Sequence, residues 1–194
     1  MWAYIICAGI WAGIIAGWLI PVIRKRLFCE VYAACGIGIL FSLIVLVAMV
    51  WQEGDILPLR YIGWALYVPA AALLISSFVS LRHKGNPESG WEHSTVLIHS
   101  GVFRIVRHPL FLGSALFTIG LILIAQSIPA TILGVVGVSC LWMASRGEEE
   151  LNIRKFGQEY QKYMQEVPRW NLFKGLKLTA RKRGPTKGTK EEKE

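Results

Sequence analysis

An all-α, polytopic membrane bundle of about five transmembrane helices, followed by an amphipathic helix outside the membrane, is the fold class this sequence predicts. Three observations predict it. The 194 residues are 54% hydrophobic, more apolar than a soluble domain of this size. The apolar residues lie in long blocks nearly free of charge, several of them near the 18 or so residues that cross a hydrocarbon core about 30 Å thick. The charges collect between and after those blocks, and they are unevenly signed, giving a net charge of +8.

The first block runs from Trp2 to Ile23 and stops at Arg24, Lys25 and Arg26. A secretory signal would carry its basic stretch before the apolar core and a small-residue cleavage site after it. The order here is reversed, so this block reads as a retained transmembrane helix. The second block, Val31 to Trp51, ends at the polar turn Gln52-Glu53-Gly54-Asp55, and the third, Leu57 to Leu81, has Arg60 near its start. Arg82 to His108 then form the longest polar connection, opened by Gly85, Asn86, Pro87 and Gly90, which break regular structure. Pro109 to Ala125 and Ala130 to Ala144 are two short blocks separated by Gln126-Ser127-Ile128-Pro129. They read as a tight helical hairpin, with a re-entrant pair as the alternative.

Beyond Ser145 the character changes. Arg146 to Arg169 is charged, with Phe156, Tyr160, Tyr163, Met164 and Val167 at helical spacing, which reads as an amphipathic helix. Thr179 to Glu194 has no large apolar residue and reads as a disordered basic tail. The chain thus divides into a membrane domain over 1–178, comprising N-terminal spans over 1–81 and a polar-rich half over 82–178, and a tail over 179–194.

Only Arg60 of the 21 Lys and Arg residues falls on the outer face when the N-terminus is placed outside. The positive-inside rule therefore predicts an N-terminus outside and a C-terminus in the cytoplasm. Basic residues in these places are explained by lipid headgroups, so the expected partner is the bilayer and not nucleic acid. Cys7, Cys29, Cys35 and Cys140 show no metal-type pairing and read as small apolar residues; no metal site is expected.

The hairpin returns the chain to one face, which brings the end of the 82–108 loop beside the start of the 146–169 helix. Arg107-His108-Pro109 sits where the loop enters the fourth span. Proline restrains the residue before it to extended geometry and suits a first helical position. The exposed N–H groups beyond it, with Arg107 and His108, suit a carboxylate or phosphate; a plain interfacial anchor is the competing reading. Glu148, Glu149 and Glu150 follow the fifth span, and Glu149, Phe156, Tyr160 and Tyr163 share a helical face. A carboxylate beside aromatic rings suits a ligand with a positive charge and a flat heterocycle, against the alternative of a solvated helix start.

These residues resemble the isoprenylcysteine carboxyl methyltransferase and phospholipid methyltransferase superfamily. The resemblance is carried by Leu97, Gly101, Arg107-His108-Pro109, Gly113, Glu148-Glu149, Phe156-Gly157, Tyr160, Tyr163, Val167-Pro168 and Phe173-Lys174-Gly175. It implies an integral membrane methyltransferase that uses S-adenosylmethionine as cofactor and a membrane-soluble small molecule or lipid as substrate. It implies a cofactor site of Leu97, Ile98, Phe103, His108, Pro109, Leu110, Phe111 and Glu148, with Arg107, His108, Glu149 and Arg146 as candidates for the chemistry. Thr95 stands in place of the family's first histidine, with His93 and His99 nearby, and Phe103 and Phe111 stand in place of tyrosines. Ala144 replaces the substrate-binding arginine of the carboxyl methyltransferases. Arg146, the nearest candidate, is about 200° away around a helix. A lipid reductase using NADPH and a non-catalytic protein on the same scaffold are the alternatives.

Overall fold

The computed structural model describes residues 1–24, 28–51, 54–84 and 96–183, and these form helices with no strand. Several expectations fall outside the described residues: those on Lys25 and Arg26, on Gln52 and Glu53, on Gly85, Asn86, Pro87 and Gly90, on His93 and Thr95, and on the tail from 184 onward. In order the helices are α1 (Trp2–Ile14), continued through a π-helical turn into α2 (Ile20–Arg24), α3 (Phe28–Met49), α4 (Leu57–Lys84), α5 (Pro109–Ala125), α6 (Ile128–Phe156), α7 (Gln158–Glu166) and α8 (Leu172–Arg183). Among the described residues, four stretches are long and apolar enough to cross a membrane: Trp2–Ile23, Cys29–Met49, Leu57–His83 and Ile128–Phe156. With the shorter apolar helix Pro109–Ala125, the chain is a polytopic helical membrane bundle, as the sequence predicts.

Small residues let the spans approach closely, which is how helices pack where lipid offers no hydrophobic drive. On α4 and α5, Gly63 and Gly120 face one another so tightly that a Cβ at Gly63 would stand 2.8 Å from the Gly120 carbonyl oxygen. Gly36 on α3 nests under Leu141 of α6. The first span is peripheral and is tied to α3 by the Trp11 indole, which donates to the Ser42 hydroxyl at 3.1 Å. All four cysteines are free and half-buried.

The turn of the hairpin is pinned by Gln126, which adopts the left-handed conformation at φ 48°. Its side-chain amide both donates to the Ile56 carbonyl (2.9 Å) and accepts from the Ile56 N–H (3.0 Å). Ser127 then caps α6 by accepting from the Ala130 N–H at 3.3 Å.

The fifth span and the amphipathic helix expected after it are joined differently from the sequence reading. Helix α6 does not stop near Ala144; it runs unbroken through Phe156. At about 1.5 Å per residue its 29 residues exceed a hydrocarbon core of about 30 Å by about two and a half turns, so its charged end projects from the membrane. Nothing in Arg146–Lys155 opposes a helix except Gly147, a penalty of about 1 kcal/mol. The break comes at Gly157, where φ is 57°, and α7 begins beyond it. Glu149 and the two tyrosines therefore sit on separate helices and not along one continuous face. Tyr160, Tyr163 and Val167 are buried together, with Leu97, Ile153, Phe156 and Met164 packed against them.

Helix α8 also extends to Arg183, into the stretch that composition assigns to a disordered tail from Thr179. Its Thr179 hydroxyl donates to the Arg104 carbonyl at 3.4 Å, a tertiary anchor that composition does not reveal.

Candidate active site: a buried carboxylate at the mouth of the hairpin

Where α5 enters the membrane, Arg107 and His108 pair with the chain leaving α7. The Arg107 N–H donates to the Pro168 carbonyl (3.0 Å) and the His108 N–H to the Arg169 carbonyl (3.4 Å). Pro109 takes the first helical position of α5, as its fixed φ and missing donor favour. The loop end, the projecting end of α6 and the segment after α7 thus meet at one point.

Glu149 occupies that point. Its side chain is 4% exposed and is gripped from two sides by guanidinium groups. Arg107 donates through Nε (3.0 Å) and Nη2 (2.7 Å) to Glu149 Oε1. Arg169 donates through Nε to the same oxygen (3.0 Å) and through Nη2 to Oε2. Arg107 also donates through Nη1 to the Met164 carbonyl (2.8 Å) and to the Val167 carbonyl. The guanidinium of Arg169 lies 5.0 Å from the Trp142 ring centroid, and Trp170 meets Trp142 edge-on at 5.0 Å. A buried carboxylate is tolerated in such a place because its oxygens are engaged by charged donors.

His108 is packed against this network with a side chain only 4% exposed. Its Nδ1 is 3.4 Å from Glu148 Oε2. Its Nε2 is 3.4 Å from Glu149 Oε1 but not aligned as a hydrogen bond, so this buried nitrogen has no hydrogen-bond partner among the described residues. Burial opposes protonation of His108, but the carboxylates of Glu148 and Glu149 outweigh it and raise its pKa above the usual imidazole value. The stabilisation from protonated His108 is then complete below its unfolded pKa of about 6.5 and is lost as pH rises through the higher folded value. The melting temperature of the detergent-solubilised protein is expected to fall as pH rises above about 6.5, and His108→Asn to flatten that slope. A slope unchanged in His108→Asn would assign it to other groups.

Of the residues the sequence singles out, the structure brings together Arg107, His108, Pro109, Glu148 and Glu149. Phe111 stacks on His108 with ring centroids 5.9 Å apart, and Leu110, half-buried, follows Pro109. Leu97 and Phe103 sit with α7: Leu97 packs on the tyrosine cluster, and the Phe103 carbonyl accepts from the Tyr163 hydroxyl. Ile98 is buried. His99 is on the surface, 3.2 Å from Glu159. Arg146 is exposed, and since α6 is unbroken at Gly147 no bend turns it onto the side of buried Ala144. Two clefts, of about 680 Å³ between the 99–105 segment and α8 and about 710 Å³ near Trp51, Trp64 and Tyr67, lie away from the Glu149 cluster.

Arg169 is the member of this cluster that sequence reasoning does not find. In the sequence it is only the end of an amphipathic stretch, although a basic residue directly after Val167-Pro168 sits where the chain must turn back towards Arg107. Nothing in its local pattern marks it as the second clamp on Glu149.

The fold and this cluster define a class: a helical membrane bundle with polar residues gathered at the mouth of a helical hairpin. The phospholipid methyltransferase family model matches residues 59–159, from α4 into the start of α7 and just over half of the chain. The chain belongs to that family, within the isoprenylcysteine carboxyl methyltransferase-like superfamily of membrane methyltransferases. Comparison with curated proteins and with solved structures gives no match. The family supports a membrane methyltransferase acting on lipid-type substrates. Arg169 and α8 lie beyond the matched segment.

Proposed function

We propose that the chain transfers a methyl group from S-adenosylmethionine to a lipophilic acceptor held in the membrane, at the inner mouth of the α5–α6 hairpin, with its N-terminus outside and its C-terminus cytoplasmic. The observation that carries this reading is the pairing of His108, which keeps a buried nitrogen without a hydrogen-bond partner among the described residues, with the half-exposed Glu148 at 3.4 Å. Both lie inside the segment that the family model matches.

The donor set fits such a cofactor. Glu148 offers a carboxylate, 46% exposed, for an ammonium or hydroxyl group. His108 offers an unspent ring nitrogen, and Ile98, Leu97, Phe103, Leu110 and Phe111 offer apolar and aromatic surface for a heterocycle. S-adenosylmethionine, when bound, supplies an electrophilic methyl on a sulfonium. The chain's own work is to align the reacting groups and exclude water. Glu149, with Arg107 and Arg169, acts as a positioning residue that fixes α6 against the loop. Its oxygens are spent on guanidinium groups, which makes it a poor proton acceptor. A carboxylate acceptor needs no base, whereas an amine must give up a proton. His108 Nε2 is the atom placed to take it, as the neutral imidazole present once pH exceeds its raised pKa. Exposed Arg146 offers little to a substrate carboxylate, so an amine-bearing lipid is the favoured acceptor class.

Calorimetry should show that S-adenosylmethionine binds and that His108→Ala and Glu148→Ala each weaken it by about 10- to 100-fold, the value of a charge-assisted hydrogen bond. Unchanged affinity in both variants removes these residues from the site, and binding of NADPH in place of the methyl donor overturns the reading. A phospholipid amine should accept methyl groups where N-acetyl-farnesylcysteine does so weakly or not at all. Robust turnover of the prenylcysteine, abolished by Arg146→Ala, would show that Arg146 serves as the carboxylate-binding arginine after all.

A further inference from the structure

Helix α8 carries three distinct stripes. At about 100° per residue, Leu172, Gly175 and Thr179 share the side that faces the protein. Leu172 packs with Leu73, Val106 and Leu112, so α8 begins beside the first turn of α5, at the membrane boundary. Gly175 rests on the 99–105 segment so closely that a Cβ there would fall 1.9 Å from the Ile105 carbonyl oxygen, and Thr179 is bonded to the Arg104 carbonyl. The docked side is thus fixed by backbone contact.

The next stripe is apolar and uncovered: Phe173 is 84% exposed, Leu176 47%, and Ala180 is exposed with them. The third stripe is Lys174, Lys177 and Arg181, all exposed. Helix α8 contains no Asp or Glu. Leu176 and Ala180 also line the cleft of about 680 Å³ that holds exposed Arg104 with Ser100 and Thr179. An apolar stripe flanked by cations, anchored beside a membrane entry point, has the pattern of a helix lying in the headgroup layer.

We propose that α8 and this cleft form a docking surface for anionic phospholipid of the adjoining leaflet. Phe173, Leu176 and Ala180 enter the acyl boundary, while Lys174, Lys177, Arg181 and Arg104 meet the phosphates. Charge complementarity and position select this occupant: the helix is purely basic, and the nearest phase to it is the bilayer that holds α4 and α5. The proposal is independent of which molecule accepts a methyl group.

The test uses the full chain, with Cys7, Cys29, Cys35 and Cys140 replaced by Ala and a nitroxide at Ala180→Cys, one copy per nanodisc. In nanodiscs containing phosphatidylglycerol the label should be accessible to oxygen and shielded from an aqueous nickel chelate. In phosphatidylcholine nanodiscs, or at about 1 M salt where the screening length falls to about 3 Å, that shielding should be lost. Each cation near an anionic surface contributes about fivefold to partitioning, so Lys174→Glu, Lys177→Glu and Arg181→Glu together should weaken docking by about a hundredfold or more. Native mass spectrometry of the protein with its cysteines intact should show retention of phosphatidylglycerol over phosphatidylcholine, reduced in the triple variant. A label in water in both lipids overturns the proposal. So does shielding indifferent to lipid charge and salt, which would make α8 an interfacial helix with no selection of anionic lipid, and so does equal retention of the two lipids.

Discussion

Replacing Glu149 with Ala is expected to destabilise the protein by about 3–5 kcal/mol, the penalty of breaking a buried ion pair from one side. The substitution leaves Arg107, whose side chain is 8% exposed, without its carboxylate partner. It also frees Arg169, 23% exposed, which can turn to solvent. The asymmetry gives a second expectation: Arg107→Ala should be nearly as damaging as Glu149→Ala, and Arg169→Ala distinctly milder. Thermal unfolding in detergent micelles would rank the three. If Glu149→Ala melts within a degree or two of the parent, the carboxylate does not hold α6 to the loop, and its role as a positioning residue falls. Loss of donor binding in Glu149→Ala would follow from the displaced Glu148 and His108 rather than from a lost contact.

The second large effect is expected at the α4–α5 seam. A Cβ at Gly120 would stand 2.9 Å from the Gly63 carbonyl oxygen and 2.6 Å from Tyr67 Cε1. Backbone cannot yield as a flexible side chain does, so Gly120→Val must push the two helices apart. Overpacking of this kind costs about 1–3 kcal/mol. Gly9 on α1 is the internal control, since nothing stands within 4 Å of a Cβ there, and Gly9→Val should stay within about 0.5 kcal/mol. Equal loss of melting temperature in both variants would show that the effect is helix propensity and not the seam.

How far the sequence can be read is clearest at the hairpin. Pro109 at the entry and Gln126-Ser127 at the turn mark its ends, because proline geometry and helix capping are local. The end of α6 escapes the sequence for the opposite reason. The change from apolar to charged residues at Arg146 marks where the membrane stops, and a helix need not stop with it. The left-handed backbone at Gly157 supplies the break, and only the packing of Tyr160 and Tyr163 under the loop makes that glycine more decisive than Gly147.

The same division holds for the site. Arg107, His108, Glu148 and Glu149 are legible because each has a residue type suited to the chemistry and the hairpin topology forces them to one face. Which glutamate is buried is not legible. Glu148 and Glu149 are adjacent and chemically alike, and about 100° of helix rotation sends one into the guanidinium clamp and leaves the other half-exposed. Arg169 enters the clamp only because the segment after α7 pairs with Arg107 and His108 through backbone hydrogen bonds. By itself, then, the sequence determined the membrane class, the spans and the face on which the polar residues gather, since these follow from hydrophobic length and charge placement along the chain. The tertiary structure alone decided the continuity of α6, the partners of Glu149 and the anchoring of α8, since each depends on contacts between residues far apart in sequence, whose free energy no local pattern encodes.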